Sequence, residues 1–161
     1  MKARIVQPDK SDIVLSIGMI VKNEEEMFPG CLEALKPLLE AVPSELVIVD
    51  TGSTDKTVEI AESYCAKVEY FEWINDYAAA RNYGLKKCVG EWFMFVDADE
   101  HFTDVTELIE FFSNASKLKN YNSAFVNVRC FADKENKRFS DVSLARIARM
   151  TPELCFIAIP L

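Results

Sequence analysis

The stretch Phe95-Val96-Asp97-Ala98-Asp99-Glu100 sets two carboxylates two residues apart, directly after an apolar run. At the end of a strand, residues i and i+2 point to the same side. Asp97 and Asp99 therefore offer paired oxygen ligands of the kind that suits a hard divalent ion, Mg²⁺ or Mn²⁺, which also takes substrate phosphates. The competing reading is that both aspartates merely cap the loop and the next helix. A bare D-x-D is a weak signal, and its place after an apolar strand is what favours metal binding.

Four other groups bear on chemistry. Asp50-Thr51-Gly52-Ser53-Thr54-Asp55 is a strand-to-helix turn whose amides and helix start can receive a polar or anionic group; Asp50 can accept from a base or ribose, and an ordinary capped turn is the plainer alternative. Arg81 and Asn82, after the small residues Ala78-Ala79-Ala80, put a cation and an amide on a closely packed helix. Arg81 can meet a diphosphate, or form a salt bridge to Asp97 or Asp50. Asn23-Glu24-Glu25-Glu26 reads most simply as a helix-start charge cluster. His101, the only histidine, is closer to a solvated residue than to a ligand, and Trp73 and Trp92 read as core. Dinucleotide, P-loop and nucleophile-elbow motifs are absent from the sequence, and a single histidine leaves little room for a Ser-His-Asp triad.

The elements that must position these groups follow from hydrophobic patterning. Ile13–Val21, Leu46–Val49 closing on Asp50, Lys67–Phe71 and Trp92–Val96 read as strands, continuous rather than alternating where buried. Helical patterns lie between them: one through Cys31, Leu32, Leu35, Leu38 and Leu39 with Pro29 in its first turn, one carrying Val58, Ala61 and Cys65 inward, and one from Tyr77 to Cys88 with Ala80, Gly84 and Leu85 on one face. Strands alternating with helices predict a parallel sheet covered on both faces. Beyond it, a helix over Val105–Phe112, a strand over Ala124–Phe131, a charged turn at 133–137 and an antiparallel strand over Leu144–Met150 are expected. The apolar residues 156–161 read as a strand cut short, so a fragment of a longer chain is expected.

With 161 residues, 50% hydrophobic and 27% charged, the chain suits one globular domain. Its net charge of −8 argues against a dedicated nucleic-acid binder, which needs clustered Lys and Arg. Any phosphate here needs a metal or local dipoles. The five scattered cysteines form no C-x-x-C pair, which speaks against zinc and for a reducing compartment. With no signal-peptide core or spanning segment in the sequence, the expected location is cytoplasmic, compatible with peripheral membrane contact.

Four blocks in order resemble glycosyltransferase family 2, the inverting enzymes of the GT-A fold: Ile17–Glu25, Leu46–Thr57, Trp73–Asn82 and Gly90–Glu100, with Leu144–Met150 similar to a later strand of that group. The resemblance implies a nucleotide-diphospho-sugar transferase fold, α/β with a mostly parallel central sheet. It divides the chain into a loose 1–12, a donor-binding half over 13–102 and the start of an acceptor half over 103–161. It also implies a nucleotide-diphospho-sugar donor: Asp50 at the nucleobase, Val21, Asn23, Glu24, Thr51 and Gly52 lining its pocket, Arg81 toward the donor, Asp97 at the ribose or metal, and Asp99 holding Mg²⁺ or Mn²⁺. The acceptor would be a glycan, lipid-linked or protein hydroxyl. The catalytic base would lie in the C-terminal part of the family, and no residue here is assigned to it. Two other readings are weighed against this one: a nucleotide-sugar-binding module without catalysis, and a haloacid dehalogenase-type phosphatase using Asp97 as nucleophile.

Overall fold

The computed structural model describes residues 12–131 and 139–157. Its centre is a six-stranded sheet in the order β3-β2-β1-β4-β6-β5. The strands are β1 (Leu15–Val21), β2 (Ser44–Asp50), β3 (Lys67–Tyr70), β4 (Trp92–Phe95), β5 (Ser123–Phe131) and β6 (Phe139–Arg149). β1 pairs in parallel with β2 and β4, and β2 with β3; β6 runs antiparallel to both β4 and β5. The carboxyl ends of β1, β2 and β4 therefore share one edge, the place where open α/β sheets bind ligands.

Alternation along each strand divides the sheet into a thick and a thin side. Leu15, Ile17, Met19 and Val21 of β1, Leu46 and Ile48 of β2, and Trp92 and Met94 of β4 enter the larger core. There they meet α1 (Phe28–Ala41), α2 (Thr57–Ser63), α4 (Thr106–Ser113) and α5 (Ala115–Asn120). Trp92 is fully buried, with Phe111 and Phe112 edge-on to it at 5.5 and 6.1 Å. The opposite face holds a smaller cluster of Val47, Leu85, Cys88 and Phe93 under α3 (Tyr77–Leu85). α3 lies close to the sheet because Gly84 has no side chain: a Cβ there would sit 2.7 Å from the Val49 methyl.

Most expected elements are present, with differences that have local causes. α1 starts beside Pro29 as expected and runs on through Pro37. The internal hydrogen bond lost there is offset by burial of Leu32, Leu35 and Leu38. The third helix ends at Leu85 rather than Cys88, because Lys87 and Cys88 bond three residues back, to Gly84 and Leu85, in a tightened last turn. Cys65 does not point inward from α2: it follows the helix end at φ 58 and is exposed. α5 went unforeseen; Asn114 caps it by accepting from the amides of Ser116 and Lys117. Residues 151–157 form no strand. The Phe156 backbone instead pairs with the Asn82 side-chain amide at 2.8 and 2.9 Å, and its ring packs against Phe93 and Phe95. The expected charged turn at 133–137, the loose start over 1–11 and the apolar end at 158–161 lie outside the described residues. No helix among the described residues is long and apolar enough to cross a membrane.

Gly90, at the entry to β4, fixes how closely β4 approaches β1. Its amide donates to the buried Ser16 hydroxyl at 2.8 Å, and that hydroxyl donates to Glu45 at 2.5 Å. A Cβ on Gly90 would lie 2.7 Å from the Ser16 backbone nitrogen, a clash that no side-chain rotation relieves. Gly90→Ala should destabilise the chain by about 1–3 kcal/mol in urea unfolding; an unchanged midpoint would contradict this tight crossing.

Candidate functional site at the carboxyl edge of the sheet

The loops after β1 and β2 are stitched into one wall. The Asn23 amide donates to Ser53 Oγ at 3.0 Å, and the Asn23 side-chain oxygen accepts from the Thr54 amide at 2.8 Å. The Glu24 amide donates to Thr57 Oγ1 at 2.8 Å, while the Thr57 hydroxyl donates to Asp55 Oδ1 at 2.6 Å. The Glu25 amide donates to Asp55, and the Lys56 amide returns a bond to Glu25. Asn23 adopts φ 55, which Asn tolerates better than other residues with a side chain. Both the amide and the hydroxyl of Thr51 donate to the Val21 carbonyl, at 3.0 and 3.1 Å.

Asp50, 3% exposed, spends its carboxylate on its own turn, accepting from the amides of Gly52 at 3.0 Å and Ser53 at 3.1 Å. Gly52 sits at φ 105, where a side chain would be strained. The turn's amides and the start of α2 thus already donate to Asp50, Asp55, Glu25 and Asn23. That arrangement matches the plainer capped-turn reading and gives the wall its rigidity.

The two carboxylates of the D-x-D segment differ in their partners. Asp97 is gripped from both sides: Arg81 Nη2 of α3 lies 2.8 Å from Oδ1, and Arg146 Nη1 of β6 lies 3.2 Å from Oδ2. Arg146 also pairs with Glu100, whose other oxygen accepts from the Asp97 amide at 3.0 Å. Both guanidinium groups lie over the Phe95 ring, at 4.5 Å for Arg81 and 4.2 Å for Arg146, a cation–π arrangement that partly compensates their desolvation. Asp99 is exposed and has no hydrogen-bond or ion-pair partner among the described residues. Cys31 lies beneath the turn with its thiol 3.7 Å from the Asp97 carbonyl. Burial, together with the nearby Glu100, Asp99 and Asp97 charges, pushes that thiol up to about 12, so it is held protonated and unreactive.

Two further carboxyl groups lie above the ordinary range. Burial raises Glu24, and the Asp99 and Asp55 charges raise it further. Burial also raises Glu100, against the lowering effect of the Asp97 amide and Arg146. Excess negative charge thus gathers on the solvent side of the site, around Glu24 and Asp99.

The structure brings Arg81 onto Asp97, Glu24 into the field of Asp99, and the Val21–Glu24 and Asp50–Gly52 loops into one wall. It commits Asp97 to Arg81 and Arg146 and leaves Asp99 exposed. Among the described residues no group of three or more His, Cys, Asp or Glu surrounds a common point. A hard cation held by one or two carboxylates and completed by substrate phosphates fits this donor set, with Asp99 as the available ligand. His101 packs over Gly30 at the start of α1, where an added Cβ would lie 2.6 Å from Nε2. Trp73 bonds Asn75 and lies edge-on to Tyr77, while Trp92 is core as expected. Sequence reasoning missed Arg146 and Glu100. The signal was there: an arginine next to Ile147 inside an apolar strand must find an anion if it is buried.

The family model for glycosyl transferase family 2 matches residues 16–151. Over 116 residues the chain is 34% identical to glycosyltransferase SunS of Bacillus phage SPbeta, covering 65% of this chain and 26% of SunS. Over 86 residues it is 40% identical to a TPR repeat-containing protein of Synechococcus elongatus, covering 53% of this chain and 20% of that protein. The structure of S. aureus TarS 1-349 in complex with UDP superposes with a TM-score of 0.57 at 27% identity, over 70% of this chain and 34% of that one. The matches thus take in between a fifth and about a third of the length of these relatives.

Because its carboxyl is raised in the folded chain, Glu24 holds its proton longer there than in the unfolded chain. Its contribution to stability is fully present in acid and is lost as pH rises through the folded value. Glu24→Gln should therefore raise Tm at pH 7, with the gain vanishing below about pH 4, where the unfolded carboxyl is also protonated. Calorimetric Tm across that range checks it, and a gain that persisted in acid would refute the charge argument.

Proposed function

The chain belongs to glycosyl transferase family 2, and on that footing we propose that it holds a nucleotide-diphospho-sugar donor at the carboxyl edge of its sheet for transfer to an acceptor hydroxyl with inversion. The observation that carries this reading is the division of charge across the D-x-D turn. Asp97 is fixed between Arg81 and Arg146, and Asp99 is left outward beside Glu24. The TarS complexes with UDP and with UDP-GlcNAc make a uridine donor the first to try.

In this reading residues 13–102 form the donor-binding half and residues 103–161 begin the acceptor half. Val21, Asn23, Glu24, Asp50, Thr51 and Gly52 wall the nucleoside pocket, whose rigidity comes from the stitched loops. Arg81, partly exposed and bonded to Asp97 through one nitrogen, is placed to turn toward the diphosphate. Asp99 would hold Mg²⁺ or Mn²⁺, which would neutralise charge developing on the departing diphosphate. An acceptor hydroxyl of a glycan, lipid-linked or protein substrate attacks the anomeric carbon from the face opposite the diphosphate. As the new carbon–oxygen bond forms and the sugar–phosphate bond breaks, a carboxylate base of the acceptor half takes the hydroxyl proton. The phosphatase alternative fares poorly: two guanidinium groups on Asp97 leave it a weak nucleophile.

Calorimetric titration of UDP, GDP and dTDP, with and without Mn²⁺, tests the donor site. One nucleotide should bind in a Mn²⁺-dependent way, and Asp99→Ala should weaken that binding at least tenfold, about 1.4 kcal/mol. Failure of all three to bind the folded chain would overturn the reading. Binding without sugar transfer to any acceptor would favour a non-catalytic module.

A further inference from the structure

We propose that Arg146 of β6 is a positioning residue for the donor site, holding Asp97 and Glu100 inward so that Asp99 alone faces the cation. The inference rests on the donor reading above and adds to it a residue contributed by the antiparallel part of the sheet. Arg146 is 9% exposed, and each of its two terminal nitrogens is committed to a different carboxylate of the same turn, Asp97 Oδ2 and Glu100 Oε1. Glu100 closes the ring: it accepts from the Asp97 amide and gives its own amide to the Asp97 carbonyl, both at 3.0 Å. The turn from Asp97 to Glu100 is thus tied at three points, and Asp99 is the member left outside the ring.

The guanidinium is not placed for its own comfort. Its Nε is buried without a hydrogen-bond partner among the described residues, so the side chain satisfies the two carboxylates before it satisfies itself. Its plane is pressed against Phe95, 4.2 Å from the ring centroid, which fixes the direction from which it reaches the turn. Arg81, by contrast, touches Asp97 through one nitrogen and has 24% of its side chain exposed. If Arg81 swings toward a diphosphate, Arg146 remains as the counter-charge that holds Asp97 in place.

The test uses the whole chain and two substitutions. Arg146→Met keeps the apolar stem, and Arg146→Lys keeps the charge with a single nitrogen. UDP affinity is measured with and without Mn²⁺, and exchange of the Asp97 and Glu100 amides is followed by NMR without any ligand. Arg146→Met should lower the Mn²⁺-dependent affinity at least tenfold and leave metal-free affinity within about twofold. Exchange at Asp97 and Glu100 should accelerate at least tenfold while β1 and β2 amides hold. Arg146→Lys should recover part of both, and it carries the test if the Met variant does not fold. Equal losses with and without metal would mark Arg146 as structural only, and unchanged affinity or exchange would equally overturn the proposal. If the unsubstituted chain binds no UDP even with Mn²⁺, the uridine-donor reading fails, and this proposal falls with it.

Discussion

Two guanidinium groups, one from the middle of the chain and one from its C-terminal part, meet on the single carboxylate of Asp97, and much of the site's geometry depends on that meeting. Arg81 comes from α3 on the thin face of the sheet, and Arg146 from β6, antiparallel to β4. Taking such charges out of water is expensive unless they are paired and bonded. Phe95 shares the task, since both guanidinium planes lie over its ring. The remaining cost shows at the Arg146 Nε, whose unmet bond is worth about 1–3 kcal/mol. A site that accepts such a penalty is built for the position of its charges rather than for stability alone.

The same economy explains why the wall made by the loops after β1 and β2 is tightly bonded while the Asp99 side is not. The Asn23 and Asp50 loops spend nearly every amide on each other, through Ser53, Thr54, Asp55 and Thr57. Little of that wall is left to reorganise around a ligand, which lowers the ordering cost of binding. Glu24 and Asp99 remain under-compensated, with Glu24 raised by burial and by the charges of Asp99 and Asp55. In a chain of net charge −8, a diphosphate arriving there meets repulsion unless a cation comes with it. On the proposed reading, negative charge at this edge would favour a metal-bound donor over a free one.

The strand–helix alternation, the antiparallel return and the carboxyl-edge loops were legible in the sequence because each rests on a local pattern: continuous apolar runs, helical spacing at Leu32, Leu35 and Leu39, the small face of Ala80 and Gly84. The helix ends were less legible. The stop at Leu85 depends on three-residue-back bonds that periodicity does not encode. Cys65 turned outward because the left-handed residue after α2 reverses the chain. α5 is short and held by its Asn114 cap. The D-x-D was legible as a motif, but the placement of its side chains was not. Strand alternation places Asp97 and Asp99 on one side, yet β4 ends at Phe95, and the turn that follows no longer obeys a period of two. Arg146 escaped because its meaning depends on a partner 49 residues away.

That long-range partnership also says how the two parts of the chain cooperate. β6 pairs with β4 through Trp92, Phe93 and Met94, opposite Arg149, Ala148 and Ile147. This register sets Arg146 one residue beyond the last pair, alongside Phe95 and within reach of the turn. Ile147 is anchored in the large core and Arg149 covers Trp92, 4.8 Å from its ring, so β6 cannot slip without exposing one and unstacking the other. A slip by one residue would send Arg146 to the opposite face of the sheet and leave Asp97 and Glu100 to repel each other. The packing of the thick core thus holds the register, the register places the guanidinium, and the guanidinium orders the turn. On the proposed reading the antiparallel strand therefore contributes to the donor site through Arg146, apart from the bonded loops after β1 and β2.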